Sequence, residues 1–299
     1  MHHAATTPTP PASLLLATDL GARCDRALAR AVYLARQWQA RLVVLCVLPG
    51  PLQQDLLGLD GCGDARNWAR RRLERDLGPA LAGVDVRVRL ETSSQVGPCV
   101  QHVANEEGCG LVVTGLAADA LFEPPRLGST VAWLADNCPL PLLVVRDPAC
   151  GPYRSMALAC DFSEHCANAL HQALSLFGEP LQLSLVHALE MPRARLLGSA
   201  FEDQEEHATR LSATRARQFL GQCGLHSELQ LRTRTELAAG EPAHVIARHV
   251  RRHDTGLVVV GNQGGNPLVS LVLGNQARRL LASAATDTLL VHAQPPLAG

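Results

Sequence analysis

Short, almost wholly apolar runs alternate along the chain with longer amphipathic stretches. Residues 13–18 read SLLLAT and residues 41–48 read RLVVLCVL, and the segment between them has the apolar spacing of a helix. Strands without polar alternation are buried on both faces, which is typical of a parallel sheet covered by helices. The pattern therefore predicts an α/β fold built from strand–helix units.

The same pattern occurs twice. Residues 13–48 and 155–189 each contain a strand, an aspartate, an amphipathic helix and a second strand, so that Asp19 corresponds to Asp161. Both halves continue with a third strand, a helix, a fourth strand, a helix and a fifth strand. The third strands are predicted at 86–94 and 229–237. We place a few extra residues of the second copy around 192–224.

The right-handed crossover rule turns each half into a Rossmann-like, doubly wound domain with a five-stranded parallel sheet. The predicted boundaries are a disordered tail at 1–12, a first domain at 13–147, a linker at 148–153, a second domain at 154–293 and a tail at 294–299. The final strands of the halves are expected to pair edge to edge as an intramolecular pseudo-dimer. A homodimer of whole chains is a further possibility.

The composition excludes several classes of function. All 27 basic residues are arginines, so neither a P-loop lysine nor a lysine Schiff base is available. A net charge of −1 and 3% aromatic residues predict no binding to nucleic acid or to a membrane. No signal peptide and no apolar run of membrane-spanning length is apparent, and the ten cysteines form no C-x-x-C pair. We therefore predict a cytoplasmic protein with reduced, buried thiols.

A glycine-rich segment follows the fourth strand in each half. In the second half it has the spacing G-x2-G-x9-G, given by Gly261, Gly264 and Gly274, followed by Asn275. The equivalent positions of the first half are Gly115, Ala118, Gly128, Ser129 and Thr130. The last glycine precedes a helix, whose unpaired N–H groups and dipole attract a phosphate. The segment is either a phosphate cradle or only a tight connection between strand and helix.

A family resemblance rests on three features: the strand–Asp starts ATDLG and ACDFSEHCANAL, the glycine spacing, and the order of strands and helices. In these features the chain resembles a tandem universal stress protein over residues 13–292. The resemblance implies the strand order 3-2-1-4-5 in each half and pairing through the fifth strand. Many members of that family bind ATP, whereas others lack the loop and do not. The resemblance thus implies a stress-response protein that binds an adenine nucleotide, ATP with Mg²⁺, in at least one half.

The same resemblance assigns residues to that site. In nucleotide-binding members the aspartate after the first strand lies near the ribose and the metal–phosphate region, which implicates Asp161 and Asp19. A residue near the end of the second strand meets adenine through its backbone, which implicates Ala188 and Val47. The residues that would hold phosphate and ribose are Gly261, Gly264, Gly274 and Asn275 in the second half, and Gly115, Gly128, Ser129 and Thr130 in the first. For both aspartates, capping of the following helix is the alternative role.

The two copies depart from the motif in opposite ways. The first has Ala118 in place of the middle glycine and carries Asp119 and Glu123 in its loop. These carboxylates repel a triphosphate unless a divalent cation intervenes. The second copy keeps three glycines, and its loop contains no acidic residue. We therefore predict that the second half is the better nucleotide site.

Other chemistry is disfavoured. His244, His249 and His253 are spaced i, i+5 and i+9, and we interpret them as solvent-exposed polar positions rather than as a metal site. No G-x-S-x-G elbow and no dinucleotide fingerprint is present, so no catalytic residue is predicted. The leading hypothesis is a non-enzymatic, nucleotide-dependent module that an unidentified protein partner recognises. The alternatives are a nucleotide-free interaction module with degenerate loops, or a slow ATP hydrolase using Asp161 and Mg²⁺.

Overall fold

A computed structural model describes residues 9–21, 24–48, 62–116, 127–189, 199–262 and 278–292. The chain divides into two compact units, Pro10–Gly151 and Pro152–Gly299, the second of which also includes Thr9. The backbone N–H of Thr9 donates to the carbonyl of Ser175 at 3.0 Å. Each unit is an α/β layer with five parallel strands.

The first unit contains five strands in the order β3-β2-β1-β4-β5, and every neighbouring pair is parallel. The strands are β1 (Ser13–Thr18), β2 (Arg41–Leu48), β3 (Val86–Thr92), β4 (Val112–Gly115) and β5 (Leu142–Val145). Its helices are α1 (Asp25–Trp38), α2 (Cys62–Arg72), α3 (Val96–Glu106) and α4 (Ser129–Asn137), and a π-helical turn, Leu73–Leu77, extends α2.

The second unit repeats this order as β8-β7-β6-β9-β10, again with parallel pairs. The strands are β6 (Ser155–Ala159), β7 (Gln182–Leu189), β8 (Arg234–Ala239), β9 (Leu257–Asn262) and β10 (Asp287–His292). The helices are α5 (Glu164–Phe177), α6 (Ser199–Gln222), α7 (Ser227–Arg232), α8 (Pro242–His253) and α9 (278–283). The predicted order 3-2-1-4-5 is confirmed in both halves.

The central strands are buried on both faces, as their apolar runs predicted. Leu14, Leu15 and Leu16 are consecutive residues of β1, and each is fully buried. Successive side chains of a strand point to opposite faces, so both faces of β1 are covered. Alanines on the buried side of α1, such as Ala27 and Ala31, let that helix lie close to the sheet.

The predicted third strand of the second half is wrong at its start. Residues 229–237 were expected to form it, but the chain is helical as far as Arg232, and β8 begins at Arg234. Leu229 is fully buried, whereas Leu231 is 87% exposed. Residues i and i+2 of a strand share one face, so a strand would bury both leucines or expose both. A helical turn places them on different sides.

The folded chain also begins earlier than predicted. The backbone N–H of Arg41 donates to the carbonyl of Ala12 at 2.9 Å, which extends the pairing of β1 with β2 by one residue. Ala12 was predicted to belong to the disordered tail. Residues 1–8 of that tail, and the tail at 294–299, lie outside the described residues.

The interpretation of the α8 histidines as exposed is wrong for His249, which is fully buried. It follows Val245 and Ile246 by one helical turn, and all three residues share the buried face of α8. The side chain of His244, by contrast, is 81% exposed. His249 and His253 are spaced i, i+4, which places them on one side of the helix.

The cysteines whose side chains the structure describes are free thiols, and most of them are buried. Burial raises the pKa of Cys46 to about 12, so its thiol stays protonated at neutral pH. Among the described helices, none is long and apolar enough to cross a membrane.

A buried hydrogen bond ties the start of the second unit to its last strand. The hydroxyl of Tyr153 donates to a carboxylate oxygen of Asp287, the first residue of β10, at 2.6 Å. Asp287 is fully buried and Tyr153 is 6% exposed. We expect Tyr153→Phe to lower the free energy of unfolding by about 1.5–3 kcal/mol, because a buried acceptor loses a hydrogen bond. Urea denaturation measures the change.

The matched control is Tyr33→Phe on α1, the only other tyrosine of the chain, which is partly exposed. It is expected to change the stability by no more than about 0.5 kcal/mol. Equal losses in the two variants would contradict a specific role for the Tyr153 hydroxyl.

Candidate functional site

The two aspartates that follow the first strand of each unit lie in the same kind of turn. The residues after them, Leu20 and Phe162, have φ of 60° and 64° in the left-handed region. Oδ1 of Asp19 accepts a hydrogen bond from the N–H of Gly21 at 2.8 Å. Oδ1 of Asp161 accepts one from the N–H of Ser163 at 2.9 Å. Each carboxylate therefore closes a tight turn at the carboxyl end of its strand.

Neither aspartate caps the helix that follows it, so the capping alternative is wrong. The cap of α5 is Ser163, whose Oγ accepts a hydrogen bond from the N–H of Cys166 at 3.2 Å. The residue before α1 is Cys24, and it makes no capping hydrogen bond with its side chain. Both carboxylates remain exposed to solvent.

A cavity of about 550 Å³ lies at the carboxyl edge of the sheet in the second unit. Asp161, Ala188 and Gly261, from the ends of β6, β7 and β9, all line it. The start of α8 and one face of α6 form its other walls. Its volume falls within the range of about 300–1,000 Å³ that is typical of ligand pockets.

The cavity occupies the point where the strand order reverses. Starting from β6, the chain first adds β7 and β8 on one side, and then β9 and β10 on the other. The crossovers leave the sheet in opposite directions, and a crevice opens between the ends of β6 and β9. Ligands of doubly wound folds bind at this position. Three predicted residues of the second half thus come together at the expected edge.

Gly261 has a packing role. A Cβ atom at this position would lie 2.7 Å from the carbonyl oxygen of His165 and 3.1 Å from the backbone nitrogen of Cys166. Both atoms belong to the first turn of α5, so only glycine lets β9 approach that helix so closely. The glycine brings the helix start to the cavity whether or not it also contacts a phosphate.

Polar groups of opposite charge face this cavity. The carboxylate of Asp161 comes from the strand edge, and the guanidinium of Arg215 comes from α6. Nδ1 of His187 lies 2.7 Å from the carbonyl oxygen of Cys160. A carbonyl only accepts, so Nδ1 carries the proton and Nε2 is the acceptor of the neutral ring. The ring of Phe162 packs on this imidazole with centroids 4.4 Å apart.

Helix α6 supplies one wall of the cavity, although none of its residues was predicted to belong to the site. The helix residues that line the cavity are Ala208, Leu211, Ser212 and Arg215. Their spacing of i, i+3, i+4 and i+7 marks one face of a helix. That spacing is visible in the sequence and indicates that these residues share one face of α6. It does not indicate that this face lines a cavity.

Two thiols also line the cavity, Cys160 and Cys166. A hydrogen bond with Cys160, together with burial, raises the pKa of Cys166 well above its usual value. The protonated thiol is a weak nucleophile. These cysteines therefore contribute soft, apolar surface to the cavity rather than a reactive group.

The remaining predicted residues fall into two groups. In the first unit, Gly115 ends β4, Val47 is the penultimate residue of β2, and Gly128 precedes α4 without a side-chain cap. Ser129 and Thr130 are the first residues of α4. Six predicted or compared positions lie outside the described residues: Ala118 with its loop acids Asp119 and Glu123, and in the second half Gly264, Gly274 and Asn275.

A family model describes both halves. The model of the universal stress protein family matches residues 12–146 and again residues 152–292. The chain therefore belongs to the universal stress protein family and contains two copies of its domain, as the resemblance implied.

Solved structures of similar length share the fold. A functionally unknown protein of Pseudomonas aeruginosa PAO1 has 18% identity and a TM-score of 0.65, with 94% of this chain and 92% of that chain covered. A universal stress protein of Archaeoglobus fulgidus has 15% identity and a TM-score of 0.65, with 94% and 98% covered. A putative universal stress protein of Pseudomonas aeruginosa UCBPP-PA14 has 18% identity and a TM-score of 0.63, with 94% and 93% covered.

The close contact at Gly261 leads to a stability prediction. We expect Gly261→Ala to lower the free energy of unfolding by about 1–3 kcal/mol, because the new methyl group meets backbone atoms that cannot rotate away. Urea denaturation followed by circular dichroism measures this loss.

Gly221→Ala in α6 is the matched control. A Cβ atom at Gly221 meets nothing within 4 Å, and the residue is helical. Alanine there is expected to be neutral or to add up to about 1 kcal/mol. A Gly261→Ala protein as stable as the wild type would show that β9 and α5 can separate without cost.

Proposed function

We propose that the second unit binds an adenine nucleotide, ATP with Mg²⁺, in the cavity at the carboxyl edge of its sheet. The protein then acts in the stress response as a nucleotide-dependent module whose surface a protein partner recognises. The observation that carries the proposal is that one cavity, at the reversal of strand order, is lined by Asp161, Ala188 and Gly261 together.

The shape and lining of the cavity suit a purine. Apolar side chains and exposed backbone meet at the end of β7, where Ala188 lies, and Ile246 of α8 faces the same space. A flat aromatic base gains from leaving water for such a surface. Nε2 of His187 offers a hydrogen-bond acceptor beside it, which suits an amino group of the base.

The charges of the cavity suit a nucleotide with its metal. A triphosphate is repelled by a bare carboxylate such as that of Asp161, but a bound Mg²⁺ reverses the sign of this interaction. The guanidinium of Arg215 attracts phosphate oxygens directly. In this arrangement Arg215 favours the nucleotide with or without the metal, whereas Asp161 favours it only when the metal is present.

Binding, rather than turnover, is the proposed activity. The chain contains no lysine to contact phosphates, and the thiol of Cys166 is held protonated. Binding affects a partner only if the nucleotide prefers one conformation of the module over another.

The test compares Asp161→Asn with the wild type by calorimetric titration. The amide keeps an Oδ1 acceptor for the N–H of Ser163 and removes only the charge. With Mg²⁺ present, the variant is expected to bind ATP about tenfold more weakly, which corresponds to about 1.4 kcal/mol. With EDTA instead of Mg²⁺, it is expected to bind ATP more tightly than the wild type, because the repulsion is gone.

Asp19→Asn is the matched control, because Asp19 closes the same turn in the first unit. It is expected to leave the affinity of the second unit unchanged and to leave one nucleotide bound per chain. No ADP is expected to accumulate during the titration. If the wild type binds neither Mg-ATP nor adenosine at millimolar concentration, and releases no nucleotide when it is denatured, the nucleotide-free interaction module takes the place of this proposal.

A second prediction concerns the cation of the cavity. We expect Arg215→Gln to weaken the binding of ATP about tenfold, because a charged contact to phosphate is lost, and to leave the binding of adenosine unchanged. Arg217→Gln is the control, because Arg217 is exposed on the same helix but does not line the cavity. An equal effect of the two variants on ATP would mean that only the overall charge matters and that Arg215 does not contact the nucleotide.

A further inference from the structure

The buried histidine of α8 belongs to a cluster of three side chains that the nucleotide proposal does not use. Nδ1 of His249 lies 2.6 Å from Oε2 of Glu236 on β8. Nε2 of His253, one turn further along α8, lies 3.6 Å from the same oxygen. One ligand atom from each of the three residues falls within 4.8 Å of the others. Two imidazoles and one carboxylate therefore converge on one point.

The spacing of these atoms suits a small cation after a modest adjustment. A tetrahedral zinc ion with ligands at about 2.0–2.1 Å holds its ligand atoms about 3.3 Å apart. The separation of 3.6 Å between His253 and Glu236 is already close to that value. The contact of 2.6 Å between His249 and Glu236 is a hydrogen bond that an ion would replace. Histidines at i and i+4 of a helix commonly supply two zinc ligands.

A cation requires a change of tautomer at His249. A carboxylate only accepts, so Nδ1 of His249 carries a proton in the hydrogen bond with Glu236. Nε2 of His249 is buried and has no hydrogen-bond partner among the described residues. Moving the proton from Nδ1 to Nε2 exposes the Nδ1 lone pair to a metal and replaces only the hydrogen bond with Glu236.

The cluster opens to solvent on one side, because the side chains of His253 and Glu236 are 24% and 16% exposed.

The first unit shows that the fold does not require this cluster. By strand register, Glu236 occupies the position of Arg89, because Leu45 pairs with Arg89 and Val186 pairs with Glu236. Counting back from the fourth strands places His253 at the position of Glu107, and His249 at that of Val103. In the first unit Arg89 forms ion pairs with Glu107 at 2.5 Å and with Glu91 at 2.7 Å.

The second unit therefore has a glutamate–histidine pair in place of an arginine–glutamate pair, and an imidazole in place of a buried valine. A pair formed by Glu236 and His253 alone would not need the buried His249. Burying an imidazole costs free energy unless its nitrogens have partners. A metal ion bound by Glu236, His249 and His253 would account for the three substitutions together.

One neighbouring cation competes for the same place. NH1 of Arg234 lies 2.9 Å from Nδ1 and 3.3 Å from Nε2 of His253. Arg234 is exposed and is the first residue of β8, so its long side chain can move away from His253 when a metal ion binds. Arg252 also contributes positive charge near Glu236. These charges weaken the affinity for a divalent ion without removing any of its ligands.

We propose that Glu236, His249 and His253 form a binding site for one divalent transition-metal ion of the zinc type, which joins β8 to α8. Imidazole nitrogens with a carboxylate oxygen favour Zn²⁺ over Mg²⁺ or Ca²⁺, which prefer oxygen ligands alone. Three protein ligands leave a fourth position for water, as the solvent-exposed side of the cluster allows.

The test titrates the full-length protein with Zn²⁺, and separately with Co²⁺ as a coloured substitute, in the absence of nucleotide. Because His2 and His3 offer a second pair of imidazoles, every protein compared carries His2→Ala and His3→Ala. The parent protein is expected to bind one Zn²⁺ per chain with an increase in Tm. With Co²⁺ it is expected to show tetrahedral ligand-field absorption without a sulfur-to-cobalt charge-transfer band, since no cysteine takes part.

Three ligand variants and one variant of the neighbouring arginine follow. Glu236→Gln and His253→Ala are expected to lower the affinity for Zn²⁺ by at least about 100-fold, since even outer-shell partners contribute about 10–100-fold. His249→Val, which copies Val103 of the first unit, is expected to abolish the site and to keep the fold. Arg234→Gln is expected to bind Zn²⁺ more tightly than the parent, because a competing cation is gone.

His244→Ala is the matched control, because His244 lies on the same helix with its side chain exposed. It is expected to bind Zn²⁺ as the parent does. The proposal is overturned if the parent shows no saturable binding of one Zn²⁺, or if a thiolate band appears with Co²⁺. It is also overturned if Glu236→Gln and His253→Ala bind the ion as tightly as His244→Ala.

Discussion

Burial of the central strands on both faces is the constraint on which the other features depend. Leu14, Leu15 and Leu16 have no exposed surface, and the same is true of Leu142 and Leu143 in β5. A polar side chain within such a strand would lose its hydration and gain no hydrogen-bond partner, which costs free energy. The polar residues of a binding site therefore lie at the strand ends. Parallel strands place their carboxyl ends at one edge, and the reversal of strand order opens that edge. The cavity of the second unit lies at this edge.

The two halves keep the same scaffold while their chemistry has diverged. The turn after the first strand is preserved down to its left-handed residue and its carboxylate hydrogen bond, in Asp19–Leu20 and in Asp161–Phe162. The third strand and the following helix differ, because an arginine–glutamate network in one half becomes a glutamate–histidine cluster in the other. Exposed or half-buried positions at a sheet edge tolerate such exchanges, since the strand ladder beneath them depends on backbone hydrogen bonds alone.

The candidate nucleotide site and the candidate metal site lie on different parts of the same elements. Gly240 and Pro242, where β8 passes into α8, line the cavity, whereas His253 closes α8 at its other end. A metal ion that joins β8 to α8 would hold the wall of the cavity in place without touching a nucleotide. Variants of Glu236, His249 and His253 therefore test the metal site without changing a residue that lines the cavity.

The sequence by itself determined the α/β class and the duplication, because apolar runs buried on both faces permit few other arrangements. The resemblance to the universal stress protein family implied the strand order and placed Asp161, Ala188 and Gly261 at one edge. Only the tertiary structure decided which side chains of α6 complete the cavity, that Ser163 rather than Asp161 caps α5, and that residues 229–232 are helical. It alone brought Glu236 to His249. Contacts of this kind join residues on separate elements, and local spacing carries no information about which faces meet.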